Sequence, residues 1–129
     1  MRKKTITILG ILLISILFYG CSQEPQKPEG ALSVAELLEN PIYDTQTRVY
    51  GKVSALRELS CTCFFLRSDK ENLHIWYDTM VEDDGTIRPS VSVQEINNGD
   101  WAVVIGELKS GGAHYSLNDF WASSIEVLH

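Results

Sequence analysis

The chain has 129 residues, 17 acidic against 11 basic, a net charge of −6 at pH 7 and a pI near 4.9. An acidic balance of this size argues against a general nucleic-acid binder, which neutralises phosphates with Lys and Arg. The length admits one ordinary small domain and excludes two, and no internal repeat is visible.

Arg2, Lys3 and Lys4 open the chain, Ile6 to Phe18 is almost unbroken apolar sequence, and Tyr19-Gly20-Cys21 precedes an abrupt polar turn at Ser22-Gln23-Glu24-Pro25. A basic start, a short apolar run and a small residue at the cleavage point describe a secretory signal. The run is well short of the about 20 residues that span a bilayer, so cleavage is expected rather than an uncleaved anchor. Phe18-Tyr19-Gly20-Cys21 resembles the lipobox of bacterial-type lipoproteins. Gly20 and Cys21 hold the matching places, while Phe18 and Tyr19 stand where that family prefers Leu and then Ala or Ser. The resemblance implies diacylglycerol, with palmitate-type chains, on the Cys21 sulfur and a lipoprotein on the extracytoplasmic face of a cell membrane. Two acyl chains, at about 0.8 kcal/mol per buried methylene, suffice for stable anchoring. Losing residues 1–20 leaves 8 Lys+Arg against 17 Asp+Glu, a net of −9. Residues 21–32, with Pro25 and Pro28, read as a tether, and 33–129 as the folded domain.

Ser33-Val34-Ala35-Glu36 has the form of a capping box, and Asn40-Pro41 stops what it starts, so a short helix is predicted over about 33–39. The period then changes to two. Val49, Gly51 and Val53 share one face of a strand over 48–54, with Tyr50 and Lys52 on the other. Residues 61–67 form a second strand and 72–78 a third, in which Leu73, Ile75 and Tyr77 alternate with His74, Trp76 and Asp78. Ser68-Asp69-Lys70-Glu71 is the hairpin turn between them. Glu82-Asp83-Asp84-Gly85 is a turn, and 91–98 holds a short helix or an irregular connection. Trp101 to Leu108 is a strong central strand, Gly111-Gly112 turns the chain, and His114 to Leu128 supplies one or two final strands.

A short helix, then Val49-Tyr50-Gly51-Lys52-Val53, a hairpin, Gly99-Asp100-Trp101-Ala102-Val103-Val104-Ile105-Gly106 and a closing strand resemble the OB-fold, especially its anticodon-binding-like branch. It is also similar to small secreted OB modules of bacteria and archaea. The expected fold is all-β, a small five-stranded OB-fold barrel with a short N-terminal helix. Gly51 and Gly106 fall where a small barrel strand must coil sharply and a side chain would crowd the closure. The resemblance places the ligand surface on the second and third strands.

Tyr50, Lys52, Arg67, His74 and Trp76 would gather on that surface, an arrangement that stacks bases or sugars. Trp76 has a second reading, as a lid over the barrel packed on Leu37 and Leu38; Trp101 and Trp121 are assigned to packing. Cys61-Thr62-Cys63 puts two thiols on one strand face, about 6.6 Å apart at Cα. Three chemistries are open to the pair. It can be a structural pair or disulfide pinning the hairpin, a ligand set for copper(I) or zinc with His74, or a thiol exchange centre. Glu82, Asp83 and Asp84 lack the alternate-position spacing of a calcium loop and read as a solvated turn. His74, His114 and His129 have no serine on a strand-turn-helix elbow to serve, and no glycine-rich loop can cradle phosphate. The sequence therefore predicts no enzyme, no catalytic residue and no resident cofactor. It predicts a lipid-anchored binding module for a partner protein, glycan or small ligand. A metal or thiol-redox envelope protein is the alternative, and single-stranded nucleic acid is the remotest ligand.

Overall fold

The computed structural model describes residues 24–110 and 119–129. The expected signal segment, Cys21, the Gly111-Gly112 turn and His114 lie outside the described residues. The elements run β1 (Leu32–Ser33), α1 (Val34–Glu39), β2 (Gln46–Ser54), β3 (Cys63–Ser68), β4 (Glu71–Trp76), β5 (Met80–Val81), β6 (Ile87–Arg88), β7 (Trp101–Leu108) and β8 (Asp119–Val127).

Five of these strands close on themselves in the order β2-β3-β4-β8-β7, and β7 pairs back onto β2. Only the β4–β8 contact is parallel within this ring; the others are antiparallel. This is the closed all-β barrel of an OB-fold, with one short helix. Period two explains which side chains fill it. Val49 and Val53 of β2, Phe64 and Leu66 of β3, Leu73 and Ile75 of β4, Val104 of β7 and Phe120 of β8 point inward and are almost wholly buried. α1 packs on β2, β3 and β4, inserting Val34 and Leu37 into the same core. The predicted capping box holds it there. Ser33 Oγ accepts from the Glu36 amide at 3.1 Å, Glu36 Oε1 accepts from the Ser33 amide at 3.1 Å, and Asn40 is the C-cap.

Gly51 and Gly106 occupy the tight places anticipated for them. A Cβ on Gly51 would sit 2.7 Å from the Arg67 carbonyl oxygen. One on Gly106 would run into the Trp121 carbonyl, at the register shift where β7 bends past β8.

Three features differ from the sequence-based expectation, and a fourth decides between the two readings given for 91–98. β3 begins at Cys63, because Cys61 and Thr62 lie in a bend before it. The 91–98 segment is irregular, as one of the two expectations held. It is pinned by Arg57, whose guanidinium donates to the Ile96 and Val93 carbonyls, and by the buried Ile96. The acidic turn closes a hairpin, β5–β6, whose strands the composition did not announce. Finally, contact with the barrel starts before residue 33. Leu32 pairs with Val49, Ala31 is buried, and Arg48 Nη1 donates to the Glu29 carbonyl at 3.0 Å.

Candidate ligand face

The outer surface of β3, β4 and β8 is laid out by cross-strand register. Cys63 is opposite Trp76, which is opposite Trp121; Phe65 is opposite His74, which is opposite Asp119; Arg67 is opposite Asn72 and, on its other side, Lys52 of β2. Alternation sends Leu73, Ile75 and Phe120 into the core, so each outward partner is fixed by an inward neighbour that has nowhere else to go.

The result is a strip of four rings. Phe65 and His74 have centroids 5.4 Å apart, His74 and Trp76 5.0 Å, and Trp76 and Trp121 5.3 Å with planes only 11° apart. Those spacings fall in the favourable range for offset and tilted aromatic pairs. Phe65, His74, Trp76 and Trp121 are all half-buried, so each ring keeps an edge or face in water. The Trp76 Nε1 hydrogen is buried and finds no acceptor among the described residues. Trp76 packs on Trp121 and His74 outside the barrel and is not among the hydrophobics packed against the core that holds Leu37. Trp121 does pack, as assigned, but on this outer strip. Trp101 lies in a separate small cluster with Tyr50, Val103 and Ala31.

Lys52 and Arg67 are exposed, opposite one another at one end of the face. Tyr50 does not join them. Its strand position points it outward as expected, but β1 and Ala31 lie across it, leaving it 8% exposed and 6.4 Å from the Trp101 ring. Burial, aided by the negative charge of Glu24, pushes its hydroxyl above the usual tyrosine pKa. Four of the five expected ligand residues are thus brought together, and Tyr50 is covered by the N-terminal segment.

Cys61 and Cys63 are joined as a disulfide at the edge of the strip, with Cα atoms 5.2 Å apart. The bend at Cys61 brings them closer than the 6.6 Å of a regular strand, inside the range disulfides normally occupy. Cys63 is buried and Cys61 half-buried. Cys61 Sγ lies 3.7 Å from His74 Nε2, and the other nitrogen, Nδ1, lies 3.2 Å from Oδ1 of the buried Asp119. The imidazole thus lies between the carboxylate, which faces Nδ1, and the sulfur, which faces Nε2. Asp119 escaped the sequence reading because its partner is on a strand far away in the chain, and no spacing rule links them.

Elsewhere, Arg88 donates to Glu82 and to Glu107 Oε2 at 2.7 Å, and Lys109 Nζ donates to Glu107 at 3.1 Å. This network clips the β5–β6 hairpin to β7. Asp83 and Asp84 are exposed as expected of a solvated turn, whereas Glu82 is drawn into the network. A cleft of about 570 Å³ lined by residues including Glu95, Asn97, Asp100 and Val127 holds none of the expected ligand residues. It is wide and polar, and its titratable residues, Glu95, Asp100 and His129, form no metal-type cluster among the described residues.

No protein-family profile and no curated protein matches this chain. Among solved structures it is similar to the telomere capping protein Ten1 from Saccharomyces pombe, at 13% identity over 78% of this chain and 81% of that one, with a TM-score of 0.47. A chain of the S. pombe Stn1–Ten1 complex matches at 11% identity over 79% and 78% of the two chains, with a TM-score of 0.50. A putative aspartyl-tRNA synthetase from Leishmania major Friedlin matches at 13% identity over 83% of this chain but only 22% of its own, with a TM-score of 0.50. At these identities the likeness is one of fold.

Proposed function

We propose that this chain is a lipid-anchored, extracytoplasmic binding module with no enzymatic activity, and that it grips its ligand on the outer β3–β4–β8 face. One observation carries the reading: four rings, Phe65, His74, Trp76 and Trp121, form a continuous half-exposed strip on a barrel wall. Rings whose packing is satisfied only in part keep apolar surface available to a flat-faced ligand. A glycan fits best among the partner protein, glycan and small-ligand classes, because sugar rings offer flat apolar faces and hydroxyls that Lys52 and Arg67 can meet. The net −9 of the cleaved chain opposes a polyanion. The similar Stn1–Ten1 chain was solved in a protein complex, which lends support to a protein partner as the second class. Anchoring through Cys21 rests on the signal-like start of the sequence.

The test is tryptophan fluorescence during titration with soluble cell-wall glycan fragments, and separately with a single-stranded oligothymidine. Saturable quenching by the glycan that disappears in Trp76→Ala supports the reading. Tight oligonucleotide binding that falls steeply with salt would replace it with nucleic-acid recognition.

A further inference from the structure

We propose that Cys61, Cys63 and His74 are the ligands of a copper(I) site that opens when their disulfide is reduced. The two sulfurs and the imidazole nitrogen already lie within 4.8 Å of one another, so one ion can reach all three without moving the barrel. Cys63 and His74 are held by adjacent paired strands, and Cys61 is turned toward the same point by the bend before β3. Nothing in the binding reading above is needed for this assignment.

The donor set selects the metal. Thiolates are soft ligands that favour copper(I) and zinc over harder ions, and imidazole suits both. Zinc prefers four ligands in a tetrahedron, and no fourth Cys, His or carboxylate joins the cluster among the described residues. Copper(I) is content with three soft donors. The second layer is also in place. Asp119, 4% exposed, lies 3.2 Å from His74 Nδ1, so that Nε2 is the nitrogen turned toward the sulfurs. A buried carboxylate behind a ligating histidine fixes its tautomer and raises its basicity. The rings of Phe65 and Trp76 flank the imidazole, with centroids 5.4 and 5.0 Å from it.

Opening requires a dithiol reductant. Its thiolate attacks the sulfur of the half-exposed Cys61, since Cys63 is only 1% exposed, and the S–S bond breaks with the electron pair leaving on Cys63. The reductant's second thiol then displaces Cys61 from the mixed disulfide. Two electrons pass from the dithiol, which becomes a cyclic disulfide, to the two cysteines, and its two protons end on them as thiols. Copper(I) displaces those protons to solvent as it binds.

The experiment reduces the full chain with dithiothreitol, desalts it under argon and titrates it with copper(I) against a chromophoric copper(I) chelator. The expected result is one equivalent bound by the reduced protein and none by the oxidised protein, with Trp76 fluorescence quenched in step. Asp119→Asn should weaken binding 10–100-fold, the usual cost of losing the group behind a ligating histidine. His74→Ala should weaken it at least as much. The oxidised wild type and the iodoacetamide-alkylated reduced wild type serve as metal-blind forms, should a cysteine variant fail to fold. Equal copper affinity in the reduced and alkylated proteins overturns the proposal, as does uptake of zinc with no uptake of copper.

Discussion

Trp76 and Trp121 lie directly opposite one another on parallel strands, their rings stacked 5.3 Å apart on the outside of a barrel that needs neither of them to close. The core is filled by Ile75 and Phe120, the residues beside them in the chain, and by Leu73. The indoles have spent part of their apolar surface on each other and kept the rest at the solvent boundary.

That division predicts what Trp76→Ala does. A fully buried Trp replaced by Ala costs about 3–5 kcal/mol. Trp76 is half-buried and loses one stacking partner, itself about 0.5–1.5 kcal/mol, so a loss of about 1–2 kcal/mol is expected. Urea denaturation gives the number, and far-UV circular dichroism should lose the exciton signal of the coupled indoles. A loss above about 3 kcal/mol would make the strip part of the core and leave little of it for a ligand.

Gly106→Ala should be the most damaging conservative change in the barrel. The new methyl has the Trp121 carbonyl in its path and Phe120 Cε1 at 2.9 Å, both in strands with no room to withdraw. A cost of about 3 kcal/mol or more is expected, at or beyond the upper end for over-packing. Gly51→Ala meets Arg67 backbone at 2.7 Å and should destabilise by less. Thermal melts of the two variants should fall in that order, and a Gly106→Ala protein that melts like wild type contradicts the close approach.

These glycines, like the alternation of Leu73 and Ile75 with His74 and Trp76, were legible because they obey local rules: two-residue period, coiling, capping. The Ser33–Glu36 box was legible for the same reason. What the sequence could not disclose was set by distant pairing. Asp119 meets His74 only because β8 runs parallel to β4, and Tyr50 is covered only because Ala31 and Leu32 fold back along β2. Glu82 sat in an acidic run that looks solvated; the cation that recruits it, Arg88, is on the far side of a hairpin with strands of two residues each. Cys61 was placed on a strand because Phe64, Phe65 and Leu66 make a strong β signal, which does not extend back through the bend.

Cys21→Ala tests the proposed anchor directly. Metabolic labelling with an alkyne palmitate analogue should mark the wild-type chain and not the variant, and the variant should move from the membrane pellet to the soluble fraction. Two acyl chains hold a protein on a bilayer, and nothing in the tether replaces them. Unchanged labelling and retention in the variant would remove Cys21 from the account.

The Glu107 network makes stability depend on pH. Burial works to raise the Glu107 carboxyl. Hydrogen bonds from Lys109 and Arg88, with the charges behind them, outweigh it and hold the group below its ordinary value of 4.5. A carboxyl with a folded pKa below its unfolded one binds fewer protons in the native state, so its contribution is fully present above about pH 4.5. It is lost as the pH falls through the lower, folded value. Glu107→Gln should therefore cost about 1–3 kcal/mol near neutral pH, typical of a hydrogen bond to a charged group with its partners left half-satisfied. As the pH falls through that folded value the gap should close, because the wild-type carboxyl becomes protonated as well. Urea midpoints of both proteins, measured in steps from about pH 7 to pH 2.5, read this convergence. A gap that stays constant across the range would mean that Glu107 stabilises the β5–β6 hairpin through its shape and not its charge.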